Sequence, residues 1–547
     1  MKVVIIGGVA GGMSAATRLR RLDNNADIVV VERSGHVSYA NCGLPYFVGG
    51  VIEDESSLLL QTPRSLHDRF RLDVRVNSEA MAIDAAVKTV TVRNLATGET
   101  YVLPYDYVVL SPGASPIIPP VPGIERAYPL RTVEDVERMA EAVDRSPSSA
   151  AVIGGGFIGV EIAENLLRRG IATTIVEAAP QILAPLDPEM AQLVVDEVRV
   201  HGVGVHLGDS VSSVTANTIV LVSGEVIDAE LVVVAIGMRP DTSLARAAGL
   251  NIGVRGGVAV DEFNRTSDHA IYAVGDAAEK VDSLDGSAAL VPLANLANRH
   301  GRVVADHIAG RSVRPSDAIG TVIVKVFDLT VATTGWNEKR LVTEDRAFLV
   351  VHTHPLSHAE YYPGASSMSL KLLFDPTTGS ILGAQGVGGE GVDKRIDVIA
   401  TAIRGGITAP ELADLELAYA PPFGSAKDPV NMLGYVAENR LSGLSVTVQW
   451  SEIDGYRARG AQFVDVRTAE EFAAGALPGA VNIPLDELRE RFHELKALET
   501  IVNCQVGQRG HTAALLLNEL GFQAKNLDGG YKTWRASPAF VESVLVA

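Results

Sequence analysis

Two cysteines, Cys42 and Cys504, stand in the segments of this 547-residue chain whose residue types best suit chemistry. Cys42 lies in Ser-Tyr-Ala-Asn-Cys-Gly-Leu-Pro-Tyr, downstream of a glycine-rich turn, and Cys504 begins Cys-Gln-Val-Gly-Gln-Arg-Gly between an apolar strand and an apolar helix. Structural disulfides normally require more cysteines and an oxidising compartment. We therefore interpret both as reactive thiols. The alternative, two unrelated thiols buried for packing, fits their flanking residues poorly.

The composition argues against several kinds of partner. The chain has 47 Lys and Arg against 66 Asp and Glu, a formal charge of −19, which disfavours binding to nucleic acid or to anionic lipid. No stretch approaches the roughly 20 apolar residues of a membrane span, and the first residues run into glycines in a way that is unlike a signal peptide. We predict a cytoplasmic protein of roughly three to four domains, with no membrane span and no nucleic-acid partner.

Residues 151–177 form the more regular of two nucleotide-binding patterns. Gly154, Gly156 and Gly159 fit G-x-G-x-x-G between a predicted strand and a predicted helix, and Glu177 ends the next strand. The glycines permit a tight turn, approach to a pyrophosphate and helix–strand contact, while the carboxylate accepts a hydrogen bond from a ribose hydroxyl. Because a carboxylate repels a 2′-phosphate, the pattern favours NADH, with NADPH as the alternative.

An irregular version of this pattern lies near the N-terminus. Gly7 and Gly12 take the outer glycine positions, Val9 takes the middle one, and Glu32 ends the following predicted strand. We predict that later strands return to the same site at Ser-Pro-Gly (111–113) and Val-Gly-Asp. The remaining predicted cofactor-binding residues of the two patterns are Gly8, Gly11, Arg33, Ser111, Gly113, Gly237 and Asp276.

Together these segments resemble the two-dinucleotide flavin disulfide reductases, from Met1 to about Asn439. The resemblance implies that the first pattern binds FAD and that the second, inserted pattern binds NAD(P)H. The expected fold class is α/β, with two Rossmann-like domains, an α+β dimerisation domain and a small C-terminal α/β domain. The expected boundaries are 1–115 and 245–320 for the discontinuous FAD-binding domain, 116–244 for the NAD(P)H-binding domain, 321–440 for the dimerisation domain, 441–454 for a linker and 455–547 for the C-terminal domain.

The setting of Cys42 distinguishes subgroups of these reductases. Glutathione-type members carry C-x4-C, but no second cysteine follows Cys42, so its partner sulfur must come from a substrate or from oxidation to sulfenic acid. Peroxidase and oxidase relatives place a histidine where this chain has Ala10. Asn-Cys42-Gly-Leu-Pro-Tyr, Tyr361-Tyr362-Pro-Gly and Tyr419-Ala-Pro-Pro-Phe-Gly-Ser-Ala-Lys-Asp-Pro resemble the coenzyme A disulfide reductase family.

That resemblance implies roles for these residues. Cys42 would be the nucleophile, coenzyme A would supply the second sulfur, and tyrosines from the other subunit of a homodimer would donate protons or clamp the substrate. Tyr362 and Tyr419 are the candidates, with Tyr361 as the alternative to Tyr362. The competing interpretation is that these tyrosines only pack at the dimer interface.

Other residues could bind the coenzyme A moiety. Arg18 and Arg21 are three residues apart on a predicted helix, where they could share a face and bind phosphates, or simply form a solvated face. The remaining predicted substrate-binding residues are Ser38, Asn41 and Lys427.

The segment from about Ser445 resembles a single rhodanese domain, through Phe-Val-Asp-Val-Arg467 and, near its end, Leu-Asp528-Gly-Gly. Cys504 opens a C-x-x-G-x-R loop whose consecutive backbone N–H groups could surround a thiolate or a persulfide, and Arg509 would add charge at the rim. A loop this short is typical of sulfur transfer. Some rhodanese domains are inactive binding modules, usually without the cysteine.

Three histidines, His352, His354 and His358, lie close together in the sequence. Neither cysteine nor a carboxylate pattern typical of zinc accompanies them. We predict no metal site and interpret them as polar residues of an exposed strand and turn.

These patterns predict a flavoenzyme that uses NAD(P)H to reduce persulfide, polysulfide or coenzyme A disulfide at Cys42, with sulfane sulfur carried by Cys504. A nearby helix N-terminus and oxidised flavin should lower the pKa of Cys42. One alternative is a sulfur carrier or redox-responsive protein in which Cys504 delivers persulfide to a partner protein. Another is a flavin NADH peroxidase or oxidase, which Ala10 disfavours.

Overall fold

The computed structural model describes residues 1–540, which form two compact units. The first unit contains Met1–Ile182 and Gly202–Ile319, and the second contains Leu183–His201 and the chain from Gly320 onward. Among the described residues, no helix is both long enough and apolar enough to cross a membrane.

The N-terminal segment contains eight strands and three helices. The strands are β1 (Lys2–Ile6), β2 (Asp27–Val31), β3 (Asp73–Arg75), β4 (Ser78–Asp84), β5 (Thr89–Asn94), β6 (Thr100–Pro104), β7 (Tyr107–Leu110) and β8 (Ala114–Pro116). The helices are α1 (Ala10–Leu22), α2 (Leu44–Val48) and α3 (Pro63–Phe70).

The next segment repeats the alternation of strands and helices. Its strands are β9 (Tyr128–Pro129), β10 (Ser149–Ile153), β11 (Ala172–Glu177), β12 (Gly204–Leu207), β13 (Val211–Val214), β14 (Thr218–Leu221), β15 (Val226–Asp228), β16 (Leu231–Val234) and β17 (Met238–Pro240). Its helices are α4 (Val133–Asp144), α5 (Phe157–Arg168) and α6 (Pro188–Val200). The chain then forms α7 (Ser243–Ala247), β18 (Ile271–Ala273), β19 (Lys280–Val281), β20 (Ala288–Ala289) and α8 (Ala294–Ile308).

The first unit is built on two parallel sheets. One has the order β18-β7-β1-β2-β3 and the other β12-β11-β10-β16-β9. Strands β1 and β2 are runs of Val and Ile that bury four of their five residues, as expected for strands covered on both faces. The segment that ends in β18 returns to the first sheet after the second is complete, so the second nucleotide pattern is an insertion, as predicted.

The second unit begins with an antiparallel sheet in the order β21-β22-β25-β24-β23. Its elements are β21 (Val322–Val326), β22 (Leu329–Gly335), α9 (Glu338–Thr343), β23 (Leu349–Thr353), β24 (Met368–Phe374), β25 (Ile381–Gly388), α10 (Val392–Gly405) and α11 (Pro429–Leu441). Apolar side chains of α10 and α11 pack with those of β24 and β25 in one buried core, which gives the expected α+β arrangement.

A parallel sheet in the order β26-β30-β29-β27-β28 follows in the same unit. Its elements are β26 (Thr447–Val448), α12 (Ile453–Ala458), β27 (Gln462–Asp465), α13 (Ala469–Ala473), β28 (Ala480–Asn482), α14 (Leu485–Arg491), β29 (Glu499–Asn503), α15 (Gln508–Glu519), β30 (Gln523–Leu527) and α16 (Gly530–Arg535). With it the predicted fold class is complete: two parallel sheets, an α+β domain and a small α/β domain.

Helix α6 lies within the segment predicted to bind NAD(P)H, yet it belongs to the second compact unit. The reason is electrostatic: Lys371 on β24 is fully buried and forms ion pairs with Asp187 (2.9 Å) and Glu189 (2.5 Å) at the start of α6. A buried ammonium needs such partners because its desolvation is otherwise uncompensated. The boundaries of the predicted domains remain predictions.

Candidate functional site

Three adjacent strands of the first sheet, β1, β7 and β18, end side by side. Gly7 follows β1 with a φ of 99°, and a Cβ there would clash with the carbonyl oxygen of Ser111, which follows β7. A Cβ on Gly12 would clash with the Gly7 carbonyl, and the Gly12 N–H donates to Ser111 Oγ at 3.1 Å. The turn therefore requires glycine and leaves backbone N–H groups at the start of α1, an arrangement suited to a pyrophosphate.

Glu32 directly follows β2, and its carboxylate lies beside this turn. Its two carboxylate oxygens accept hydrogen bonds from Gly8 N (2.7 Å) and Ser34 N (2.8 Å). Gly11 is buried in α1, whereas Arg33 is exposed. Gly113 has a φ of 76° beside the guanidinium of Arg131.

Asp276 follows β18 and is partly buried. Burial raises the pKa of its carboxyl, an effect that Lys280 and Arg131 oppose. Lys280 is buried and donates to the carbonyls of Gly275 (2.5 Å) and Ala278 (2.9 Å), and burial lowers its pKa to about 8. The sequence analysis missed Lys280, although its position four residues after Asp276 was visible. These donors, acceptors and glycines fit an FAD that extends from Glu32 to the end of β18.

The inserted sheet repeats the same arrangement. Gly154 has a φ of 109°, where a Cβ would clash with the Ala235 carbonyl, and a Cβ on Gly159 would clash with the Gly154 carbonyl. Gly156 caps the start of α5 and has open space where a Cβ would lie. These glycines fit the diphosphate of a nicotinamide dinucleotide.

The acidic residue of this second turn mirrors Glu32. Glu177 ends β11 and accepts hydrogen bonds from Gly155 N (2.7 Å) and Ala179 N (2.8 Å). Gly237 lies just after β16, the strand that neighbours β10, and has a φ of 115°. The predicted NAD(P)H-binding residues thus converge at one edge of the sheet.

Cys42 lies in a single helical turn just before α2 and is exposed. The protein packed around its thiol raises the pKa of Cys42, and the carboxylates of Glu161 and Asp276 raise it further. The groups of the protein itself therefore raise the pKa of Cys42, whereas a helix N-terminus and oxidised flavin were expected to lower it. Helix α2, which begins after Cys42, is only one turn long, and burial together with the two carboxylates outweighs any effect of its N-terminus on the pKa of Cys42.

Glu161 was not identified from the sequence. It lies on α5, two residues after Gly159, and accepts a hydrogen bond from Tyr46 Oη at 3.1 Å. Burial raises the pKa of Glu161, an effect that the hydrogen bond from Tyr46 partly offsets. Burial and the neighbouring Glu161 raise the pKa of Tyr46 to about 12. Tyr46 and Glu161 thus connect the segment around Cys42 to the fingerprint helix of the inserted sheet.

The predicted tyrosines lie in the second unit. Tyr361 Oη and Tyr419 Oη share a hydrogen bond of 3.0 Å, and both side chains are exposed. Tyr362 is also exposed, and its ring meets the edge of the His358 ring at a centroid distance of 5.6 Å. Tyr361 is therefore the tyrosine hydrogen-bonded to Tyr419 in this chain. Lys427 is exposed.

The two arginines of α1 that were predicted to bind phosphates contact different helices. Arg18 donates to Asp306 Oδ1 on α8, with its Nη2 at 2.6 Å, whereas Arg21 lies over the Phe70 ring of α3 at 5.0 Å. The structure therefore does not bring their guanidinium groups together. Elsewhere in the first unit, Ser38 N donates to the Gly8 carbonyl at 2.8 Å, and Asn41 is exposed.

Cys504 directly follows β29 and is fully buried. Its Sγ accepts a hydrogen bond from Gly507 N at 3.2 Å, and Gly507, with a φ of 91°, caps α15. The predicted backbone loop around the sulfur is therefore present. The Arg509 guanidinium donates to both carboxylate oxygens of Glu471 at 2.8 and 2.7 Å, and Glu471 and, to a lesser extent, Cys504 raise its pKa. The charge predicted at the rim is balanced by this ion pair.

The interpretation of the three histidines as exposed polar residues is wrong. His352 and His358 are buried and His354 is half-buried. His352 and His354 hydrogen-bond to Asp528 and Thr533 of the C-terminal sheet domain, so their burial comes from the domain packed against β23.

Comparisons with known proteins agree with this architecture. The family "pyridine nucleotide-disulphide oxidoreductase" matches residues 1–301, the dimerisation domain of that family matches 321–429, and the rhodanese-like domain matches 450–537. This chain belongs to the pyridine nucleotide-disulphide oxidoreductase family. It is therefore an oxidoreductase that uses FAD and NAD(P)H in sulfur chemistry and carries a rhodanese domain, as predicted.

Individual relatives cover between 80% and 98% of the chain. Coenzyme A disulfide reductase of Staphylococcus aureus (strain JH9) is 35% identical over 441 residues, which are 80% of this chain and 100% of that protein. The crystal structure of reduced Bacillus anthracis CoADR-RHD has 48% identity and a TM-score of 0.96 and covers 98% of both chains. A NAD-dependent persulfide reductase from A. fulgidus has 38% identity and a TM-score of 0.92, covering 98% of this chain and 100% of that one.

Proposed function

We propose that this protein is an NADH-dependent reductase of coenzyme A persulfide, polysulfide or coenzyme A disulfide, with Cys42 as its redox cysteine. The observation that carries the proposal is that Cys42 is an exposed free thiol with no second cysteine near it in the sequence, while Cys504 is a fully buried free thiol. A thiol without a resolving cysteine can form its disulfide with a substrate sulfur. The names of the relatives, a coenzyme A disulfide reductase and a persulfide reductase, support this substrate class.

The chemistry balances with one thiolate. The Cys42 thiolate attacks the carbon-bound sulfur of coenzyme A persulfide, the S–S bond breaks, hydrosulfide leaves, and a Cys42–coenzyme A disulfide remains. Bound FAD would supply to this disulfide the electron pair that it takes from NADH. Two electrons and one proton then yield the Cys42 thiolate and free coenzyme A thiol. Because the pKa of Glu161 is raised, its carboxyl is suited to hold that proton beside Tyr46.

The preference for NADH rests on Glu177. Its carboxylate is fixed by two backbone N–H groups, and the next two residues are alanines, so neither of them supplies a cation to neutralise a 2′-phosphate. We infer a cytoplasmic or similarly reducing location, which the two free thiols support.

We further propose a homodimer in which Tyr361 and Tyr419 serve the partner's Cys42 site. Tyr361, Tyr362, Tyr419 and Phe423 are all exposed, which is unusual for large aromatic side chains in a monomer. The family dimerisation domain that contains these residues supports the same assembly.

The test is NADH oxidation with coenzyme A persulfide as substrate, comparing Cys42→Ser and Cys504→Ser. We expect Cys42→Ser to lose at least about 10³-fold in rate, because no disulfide can form, whereas Cys504→Ser should stay within about threefold. Cys504→Ser should slow turnover of inorganic polysulfide, which requires sulfur delivery from the rhodanese domain.

The competing function is a sulfur carrier. It predicts full delivery of sulfur from Cys504 to an acceptor without NADH, and unchanged overall activity when Cys42 is replaced. Retention of NADH-dependent persulfide reduction in Cys42→Ser would overturn the proposed role of Cys42.

A further inference from the structure

Residues 528–533, which follow β30 and include the first turn of α16, form several of the hydrogen bonds that join the rhodanese domain to the dimerisation domain. Asp528 Oδ2 accepts hydrogen bonds from the backbone N (3.0 Å) and the ring Nδ1 (2.6 Å) of His352 on β23. His354 Nε2 is hydrogen-bonded to Thr533 Oγ1 at 2.7 Å, and Lys532 Nζ donates to Ser367 Oγ at 2.8 Å. All these contacts lie within the second compact unit.

His352 is the charged centre of this contact. Its other ring nitrogen is 3.1 Å from Glu189 on α6, so the buried imidazole bridges two carboxylates. Burial alone would lower the pKa of His352, but its hydrogen bonds to Asp528 and Glu189 outweigh that effect and raise it to about 9. At neutral pH His352 is therefore an imidazolium that compensates the negative charge of Asp528.

The same segment closes the loop around Cys504. Tyr531 N donates to the Cys504 carbonyl at 2.8 Å, and Lys532 N donates to the Gln505 carbonyl at 2.9 Å. Gly530 has a φ of 64°, and a Cβ there would clash with the Cys504 carbonyl. Segment 528–533 thus binds His352 through the side chain of its first residue, Asp528, and binds the first two residues of the Cys504 loop through its backbone.

We propose that His352 is a positioning residue for Cys504: by binding Asp528, the dimerisation domain fixes segment 528–533 and, through it, the loop that holds the sulfur-transferring cysteine. The rhodanese domain is thus a docked part of the enzyme, and its reactive loop depends on a histidine from outside that domain. The inference concerns Cys504 alone, so it can fail without affecting the proposed role of Cys42.

His352→Gln in the full chain is the test, read at both cysteines of the same sample. Loss of the imidazolium leaves Asp528 and Glu189 without their shared cation, which should loosen segment 528–533. We expect backbone hydrogen exchange in the peptide that contains Tyr531 and Lys532 to rise about tenfold. Alkylation of buried Cys504 by iodoacetamide, measured by mass spectrometry, should rise by a similar factor, while alkylation of Cys42 stays within twofold.

Two further variants separate positioning from general destabilisation. His307→Gln removes a histidine of α8 in the other unit and should leave both readouts at Cys504 within twofold. Adding Asp528→Asn to His352→Gln replaces the charged pair with two amides and should recover most of the lost protection. Unchanged exchange and Cys504 alkylation in His352→Gln would overturn the proposal, and so would an equal rise at both cysteines.

Discussion

Cys42 and Cys504 place the same side chain in opposite surroundings. The Cys42 residue is exposed, but the protein packed around its thiol and, after that, the carboxylates of Glu161 and Asp276 raise its pKa. Cys504 is fully buried, and its sulfur accepts a backbone hydrogen bond from Gly507. The Cys42 site must admit a large substrate, so it is open, and its thiol depends on bound groups for activation. The Cys504 site carries only one sulfur atom, so backbone groups can surround it before any ligand binds.

The difference in exposure predicts the largest effect. In the native protein, iodoacetamide should modify Cys42 at least about 10²-fold faster than Cys504, because a fully buried thiol reacts only after local opening. In urea the two rates should converge. Peptide mass spectrometry at timed intervals measures both rates, and equal native rates would remove the basis of the comparison.

The contribution of the carboxylates to the raised pKa of Cys42 can be tested by removing one of them. Glu161→Gln removes a carboxylate that, in addition to burial, raises the pKa of Cys42, so this pKa should fall and alkylation of Cys42 at pH 7 should accelerate severalfold. Glu161→Asp keeps the charge and serves as the matched control. The rate at Cys504 should not change in either variant; a slower reaction at Cys42 in Glu161→Gln would contradict the assigned sign.

Gly507→Ala tests the backbone site at Cys504. Alanine at a φ of 91° costs about 1 kcal/mol and places a Cβ 3.3 Å from Gly529 N, which should shift the N–H that contacts the sulfur. We expect persulfide loading of Cys504 from inorganic polysulfide to slow about fivefold, with Cys42-dependent NADH oxidation unchanged. Unchanged loading would mean that this hydrogen bond does not hold the sulfur.

The smallest expected effect is a pH dependence of the second unit. The native pKa of His352, about 9, lies above its ordinary value of 6.5, so its stabilisation is complete below pH 6.5 and is lost as the pH rises through 9. The charged or titratable groups that face it are Asp528, Glu189 and Lys371, with His354 on the same strand. The Tm should fall by a few degrees between pH 6.5 and 9.5, and His352→Gln should lack this decrease.

Features set by local spacing were predictable from the sequence. In a strand–turn–helix–strand unit, the glycine turn and the end of the second strand lie a nearly constant number of residues apart. This spacing identified both glycine turns and their acidic residues, Glu32 and Glu177. Each carboxylate indeed accepts from a backbone N–H of its own turn, Gly8 and Gly155 respectively. The rhodanese loop belongs to the same class, because its glycine and its helix start are contiguous.

Features set by tertiary partners were not predictable. His352 and Asp528 are 176 positions apart, and nothing in either segment indicates that they meet. Arg509 was expected to add charge at the rim of the Cys504 loop, and the sequence did not indicate its partner Glu471, which lies 38 residues earlier. The expected lowering of the Cys42 pKa relied on a helix N-terminus and on oxidised flavin, whereas burial, followed by Glu161 and Asp276, raises this pKa within the protein itself.

The most direct test of the central claim is the mass of the Cys504→Ser protein after incubation with coenzyme A disulfide in the absence of NADH. Attack by the Cys42 thiolate releases one coenzyme A thiolate and leaves one coenzyme A on the protein. We predict an increase equal to one coenzyme A moiety per chain, mapped to the peptide that contains Cys42 and removed when NADH is added. A protein that turns over coenzyme A persulfide with NADH but never carries coenzyme A at Cys42 would contradict the account.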